Sequence, residues 1–76
     1  MSAEVFFSYG VFLVEGVSEV IFYKALAKEN GIDLDRLNIS ILAVEGIGFK
    51  PYINICNALS IPWVLRTDND IFKNRE

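Results

Sequence analysis

Three short apolar runs punctuate the chain, and each gives way to an acidic residue. Val11 to Val14 (VFLV) leads into Glu15-Gly16, Ile39 to Val44 (ISILAV) into Glu45-Gly46, and Trp63 to Thr67 (WVLRT) into Asp68-Asn69-Asp70. Short apolar runs bounded by glycine and turn residues predict strands buried on both faces, the habit of parallel sheets. Helical spacing fills the intervals. Ser18 is the expected N-cap of a helix over about 18–30, with Glu19 at the positive end of its dipole and Ile21/Ala25 and Phe22/Leu26 as i, i+4 neighbours. Asn30-Gly31 is a fitting stop. Ile32 to Asn38 reads as a polar connection containing Asp33, Asp35 and Arg36.

Gly46-Ile47-Gly48 then makes a flexible turn, and Pro51 opens a second helix over about 50–59. Tyr52, Ile55, Cys56 and Leu59 mark one face of that helix, and Ile61-Pro62 breaks it. Ala3 to Phe7 reads as the last turn of a further helix. The expectation is one α/β domain over 1–76, with strands near 11–14, 39–44 and 63–67. The order β-α-β-α-β predicts a parallel sheet with right-handed crossovers.

In such a sheet the carboxyl ends of the strands share one edge, where ligands bind. If the first strand lies between the other two, Glu15 and Asp68 become neighbours there. Glu19, one turn along the helix, can point back to the same rim, and Asp70 adds a carboxylate two residues beyond Asp68. Crowded carboxylates oppose one another's ionisation, and a divalent cation removes that cost by binding the ionised forms. Two such ions about 3.5–4 Å apart suit phosphodiester hydrolysis. Carboxylate oxygens select hard ions such as Mg²⁺, Mn²⁺ or Ca²⁺, and Mg²⁺ or Mn²⁺ is the expected cofactor.

The bland readings stand beside these. An acid after a strand is ordinary loop chemistry, Asp-x-Asp occurs in many turns, and Glu19 serves equally as a helix-start charge. Gly46, Gly48 and Lys50 are weak candidates for holding a phosphate, since a tight strand-to-helix turn needs glycine anyway. Cys56 and Trp63 read as core. Arg66, inside the third strand, either pairs with an acid or reaches the rim.

Composition narrows the field. The 76 residues carry 10 acids, 7 bases and no histidine, for a net charge of −3. Without histidine the chain has no Ser-His-Asp triad and no imidazole ligand of its own. An acidic balance offers no electrostatic footprint for nucleic acid, so DNA or RNA would be met through bound cations or basic surface from elsewhere. The single cysteine excludes an internal disulfide and suits a reducing compartment. With no signal peptide and no run of the ~20 apolar residues that span a bilayer, the expectation is a cytoplasmic protein without a membrane partner. Yet 53% of residues are hydrophobic, rich for a domain that buries only about 60% of its unfolded surface. That excess predicts a homo-oligomer or a piece of a longer protein.

The stretch Val11-Phe-Leu-Val-Glu-Gly-Val-Ser-Glu19, followed by IFYKALAKENGIDL, resembles the opening of Toprim domains in the overcoming-lysogenization-defect (OLD) family of nucleases. ISILAVEGIGFKPYINICNALSIPW and VLRTDND continue the resemblance in order, so that it covers about Ala3 to Lys73. It implies a Rossmann-like Toprim sheet that binds two divalent metals and cleaves DNA. Glu15, Asp68 and Asp70 would then be the catalytic acids and metal ligands, with Glu19 a further ligand or a partner of the general base. It also implies an ATPase domain in the same or a partner chain, and a role in defence against phage. Family members continue past Asp-x-Asp to further strands that supply a basic catalytic residue, so this chain is expected to be truncated before the last strands and inactive alone. Two other readings remain: a haloacid-dehalogenase-like phosphatase with Asp68 as nucleophile, and a non-catalytic dimerisation or docking module.

Overall fold

The computed structural model describes residues 7–67 and 70–74. The expected N-terminal turn at Ala3 to Phe7 therefore falls almost wholly outside the described residues, as does Asp68. The elements are β1 (Gly10–Val14), α1 (Val17–Glu29), α2 (Leu34–Leu37), β2 (Ile39–Ala43), a 3-10 turn (Glu45–Ile47), α3 (Lys50–Ala58), β3 (Trp63–Arg66) and β4 (Ile71–Lys73).

One sheet runs in the order β2-β1-β3-β4. β1 pairs in parallel with β2, Gly10 opposite Ile39 and Val14 opposite Ala43. It pairs in parallel with β3 on its other side, Val11 opposite Trp63 and Leu13 opposite Leu65. The sheet is mixed rather than wholly parallel, because β4 runs antiparallel to β3, with Arg66 opposite Ile71 and Val64 opposite Lys73. The reason is chain length. Only residues 67–70 separate the two strands, and a parallel return needs a crossover of about a dozen residues or more.

The core lies on one face of this sheet. Val11 and Leu13 of β1, Leu42 and Val44, and Leu65 of β3 meet Tyr52 and Cys56 of α3, with Ile61 closing the end. Alternation along each strand selects these residues, since every second side chain points to the same face. Leu13 and Cys56 are wholly buried, and enclosing a leucine side chain contributes about 1.5–3 kcal/mol. Pro51 in the first turn of α3 costs no hydrogen bond there, and its fixed φ suits a helix start.

The other face carries α1, which is held less tightly. Tyr23 meets Phe12 edge-on at 4.8 Å between ring centroids. No residue of α1 is fully buried, and Val17, Ile21, Phe22 and Leu26 are all exposed. β3 and β4 add Val64 and Ile71 to this open apolar surface, Ile71 being 55% exposed.

Two local details differ from the sequence reading. The helix cap is Gly16 rather than Ser18, for a reason given below. The polar connection contains a single helical turn, α2, whose Asp33 cap accepts a hydrogen bond from the Arg36 N–H at 3.2 Å. At the far end of α1, Gly31 takes a left-handed φ of 71°. The Ile32 N–H then bonds back to Ala27 and the Gly31 N–H to Lys28, which satisfies the carbonyls of the last turn. Among the described residues no helix is long and apolar enough to cross a membrane.

Candidate functional site

The register of β1 and β3 sets the geometry of the rim. Leu13 lies opposite Leu65, so two residues further on Glu15 comes level with Thr67, one residue before Asp68. Glu15 itself is half-buried. Its backbone is fixed from the other side, because hydrogen bonding to β2 continues past the strand ends. The Val44 N–H donates to Val14 O and the Glu45 N–H to Glu15 O, each at 3.0 Å. Glu45 follows with a left-handed φ of 47° and an exposed side chain.

Glu19 folds back toward the start of its own helix. Its Oε1 accepts the Gly16 N–H at 3.0 Å, which is half of a capping box. Glycine has no side chain with which to return the bond. One carboxylate oxygen is thus committed to the backbone, and Oε2 remains for another partner.

Asp70 sits in the turn that joins β3 to β4. The Thr67 N–H donates to Asp70 O at 2.9 Å, and the Asp70 N–H donates to Thr67 Oγ1 at 3.2 Å. The Asp70 carboxylate accepts the next N–H, that of Ile71, at 2.8 Å. Thr67 is therefore the residue that holds the backbone of Asp70, and the sequence pattern marked it only as the end of a strand. A threonine three residues ahead of an aspartate was the available signal, because its hydroxyl competes for backbone groups in turns.

Gly48 adopts a φ of 86°, which a residue with a Cβ resists, so the turn geometry alone accounts for that glycine. Lys50 begins α3 and is exposed, as is Gly46. Asp68 lies outside the described residues. Among the described residues no three acidic or sulfur side chains gather closely enough to hold a metal ion. Glu15 and Glu19 thus flank the junction of β1 and α1 in the chain, and Asp70 lies between β3 and β4. Their donors are all carboxylate oxygens, a set suited to hard divalent cations.

A further hollow opens beside these residues. Ser18, Glu19, Phe22 and Tyr23 of α1 form one side, and Arg66 and Thr67 at the end of β3 form the other.

Residues 6–70 match the domain family described as Overcoming lysogenization defect protein-like, TOPRIM domain. The chain is also similar to Endonuclease GajA of Bacillus cereus (strain HuB5-5), with 33% identity over 69 residues. That alignment covers 91% of this chain but 10% of the relative, so the chain spans about a tenth of that protein's length. No solved structure matches. The chain therefore belongs to the overcoming-lysogenization-defect-like Toprim domain family.

Proposed function

We propose that this chain is the metal-binding part of a DNA endonuclease, in which Glu15, Asp68 and Asp70 hold Mg²⁺ or Mn²⁺ and Glu19 supplements them. The observation that carries the reading is the parallel pairing of β1 with β3, Leu13 opposite Leu65; continuing that register two residues would set Glu15 level with Thr67, just before Asp68. When bound, the cations would supply an activated water and charge stabilisation at the phosphodiester. The chain's own contribution is to hold the carboxylates. β1 is clamped on both sides by parallel partners, so Glu15 stands on a rigid strand end. Glu19 is oriented by its bond to Gly16, and Thr67 fixes the backbone of Asp70.

DNA as substrate is supported by the printed name of the relative, an endonuclease. Cleavage in concert with an ATPase domain, in the same or a partner chain, and assembly as a homo-oligomer belong to the same proposal. Gly46, Gly48 and Lys50 keep only a minor part in it, as a candidate phosphate contact at the start of α3.

The test is Mn²⁺ binding and plasmid cleavage by the natural-length protein, compared with Glu15→Ala and Asp68→Ala. Both substitutions are expected to abolish cleavage and weaken Mn²⁺ binding at least tenfold, roughly 1.4 kcal/mol. Saturating metal, about a hundredfold above its dissociation constant, should stabilise the wild type by about 2.7 kcal/mol. A second reading, a non-catalytic docking module, is favoured by the exposed Phe22, Leu26, Val64 and Ile71. Metal affinity that is unchanged in both variants would select it.

A further inference from the structure

Arg66 is the one cation on β3, and strand alternation dictates where it goes. Leu65 belongs to the core on the α3 face, so Arg66 points to the opposite face, the one that carries α1. There it is half-buried and lines the hollow shared with Ser18, Glu19, Phe22, Tyr23 and Thr67. Among the described residues its side chain makes no hydrogen bond or ion pair. A guanidinium carries five N–H donors in a fixed fork, and here they stay open to water or to a ligand.

No side chain of the hollow is paired with the guanidinium, although the Glu19 carboxylate lines the same hollow. Glu19 has turned one oxygen to the Gly16 N–H. The Thr67 hydroxyl is occupied with Asp70, accepting its N–H and lying 3.3 Å from its carbonyl oxygen. Phe22 and Tyr23, packed edge-on at 5.1 Å between centroids, form an apolar wall opposite. Ser18, exposed at the first turn of α1, retains a free hydroxyl among the described residues.

We propose that this hollow is a subsite for a phosphate of the DNA backbone, gripped by the Arg66 guanidinium with the Ser18 hydroxyl as a second donor. A phosphate, like a carboxylate, accepts bidentately from the fork, and one on a bound polyanion approaches from solvent, where these donors are open. The position suits the task. Arg66 comes one residue before Thr67 and directly after Leu65, which lies opposite Leu13 of β1. A phosphate held there flanks the acids on the rim rather than displacing them. A chain of net charge −3 also needs a local cation to steady a polyanion next to its carboxylates. This inference rests on the endonuclease reading and adds to it a residue that orients the substrate without touching the metal.

The experiment is DNA binding by the natural-length protein, with Ca²⁺ in place of Mg²⁺, followed by anisotropy of a labelled short duplex over a salt series. Wild type, Arg66→Gln and Arg66→Lys are compared, and Mn²⁺ affinity is measured on each. Arg66→Gln is expected to weaken DNA binding about tenfold and to reduce the slope of log affinity against log salt by about 0.9, the signature of one lost phosphate contact. Arg66→Lys should keep that slope while losing part of the affinity, since a lysine keeps the charge but not the fork. Mn²⁺ affinity should stay the same in all three. An unchanged slope and affinity in Arg66→Gln, with wild type binding normally, would overturn this inference and leave the endonuclease reading intact. A parallel loss of Mn²⁺ affinity would also overturn it, by making Arg66 a support for the acids. Unaltered Mn²⁺ binding in Glu15→Ala would instead sink the endonuclease reading itself.

Discussion

At the scale of single residues, Glu19 has two tasks that can be separated. Its bond to the Gly16 N–H replaces the cap that glycine cannot supply. Glu19→Ala should therefore cost about 1 kcal/mol in urea denaturation. Glu19→Gln keeps an oxygen acceptor and should preserve most of that stability. If Glu19 also holds metal, the glutamine variant loses Mn²⁺ affinity while remaining folded, and a measurement of both quantities on one sample distinguishes the roles. The sequence put the cap two residues late, at Ser18, because a glycine cap leaves no side-chain signature and the bond comes from three residues ahead. Cys56 gives a second prediction. It is wholly buried, and burial pushes its thiol above the ordinary value. A raised folded value means that the unfolded chain gives up its proton first. Stability from this group is complete below the unfolded thiol's pKa, about 8.5, and falls as pH rises from there through the folded value. Denaturation curves collected at rising pH should show that decline, and Cys56→Ala should remove it.

At the scale of elements, the three parallel strands were legible because each is an apolar run ending in turn residues, with helical spacing in the intervals between them. β4 was not. Ile71, Phe72 and Lys73 are all exposed, so no alternation marks them as a strand. Their pairing is secured by a polar residue, Asn74. Its Oδ1 accepts the Trp63 N–H at 3.1 Å, and its backbone N–H donates to Trp63 O at 3.3 Å. Asn74→Ala should weaken this end of the β3–β4 pair by about 1 kcal/mol, seen as faster amide exchange at Trp63 with exchange in β1 unchanged. The same hairpin explains the partial legibility of the site. Glu15 could be placed from its strand end alone, whereas the setting of Asp70 depends on Thr67 and on a chain reversal that three exposed residues do not announce.

At the scale of the whole molecule, the apolar excess in the composition pointed to surface left uncovered, and the fold gives it an address. Much of it lies on the α1 side, where Phe22 and Leu26 stand exposed on the helix and Val64 and Ile71 on the strands, while Phe72, paired with Leu65, is exposed on the other face. The opposite face, closed by α3, contains the core. This asymmetry alters how the protein would report on itself in the laboratory. Dyes such as ANS brighten on exposed apolar surface, and that brightening is ordinarily a mark of lost tertiary packing. Here the well-packed native chain should bind the dye, and Phe22→Ser should dim the signal without loosening the fold. Trp63 is the better witness to order, since its indole N–H is fixed to Asn57 Oδ1 at 3.0 Å. A sample that glows with ANS yet keeps its near-ultraviolet circular dichroism is therefore the folded protein with one face bare.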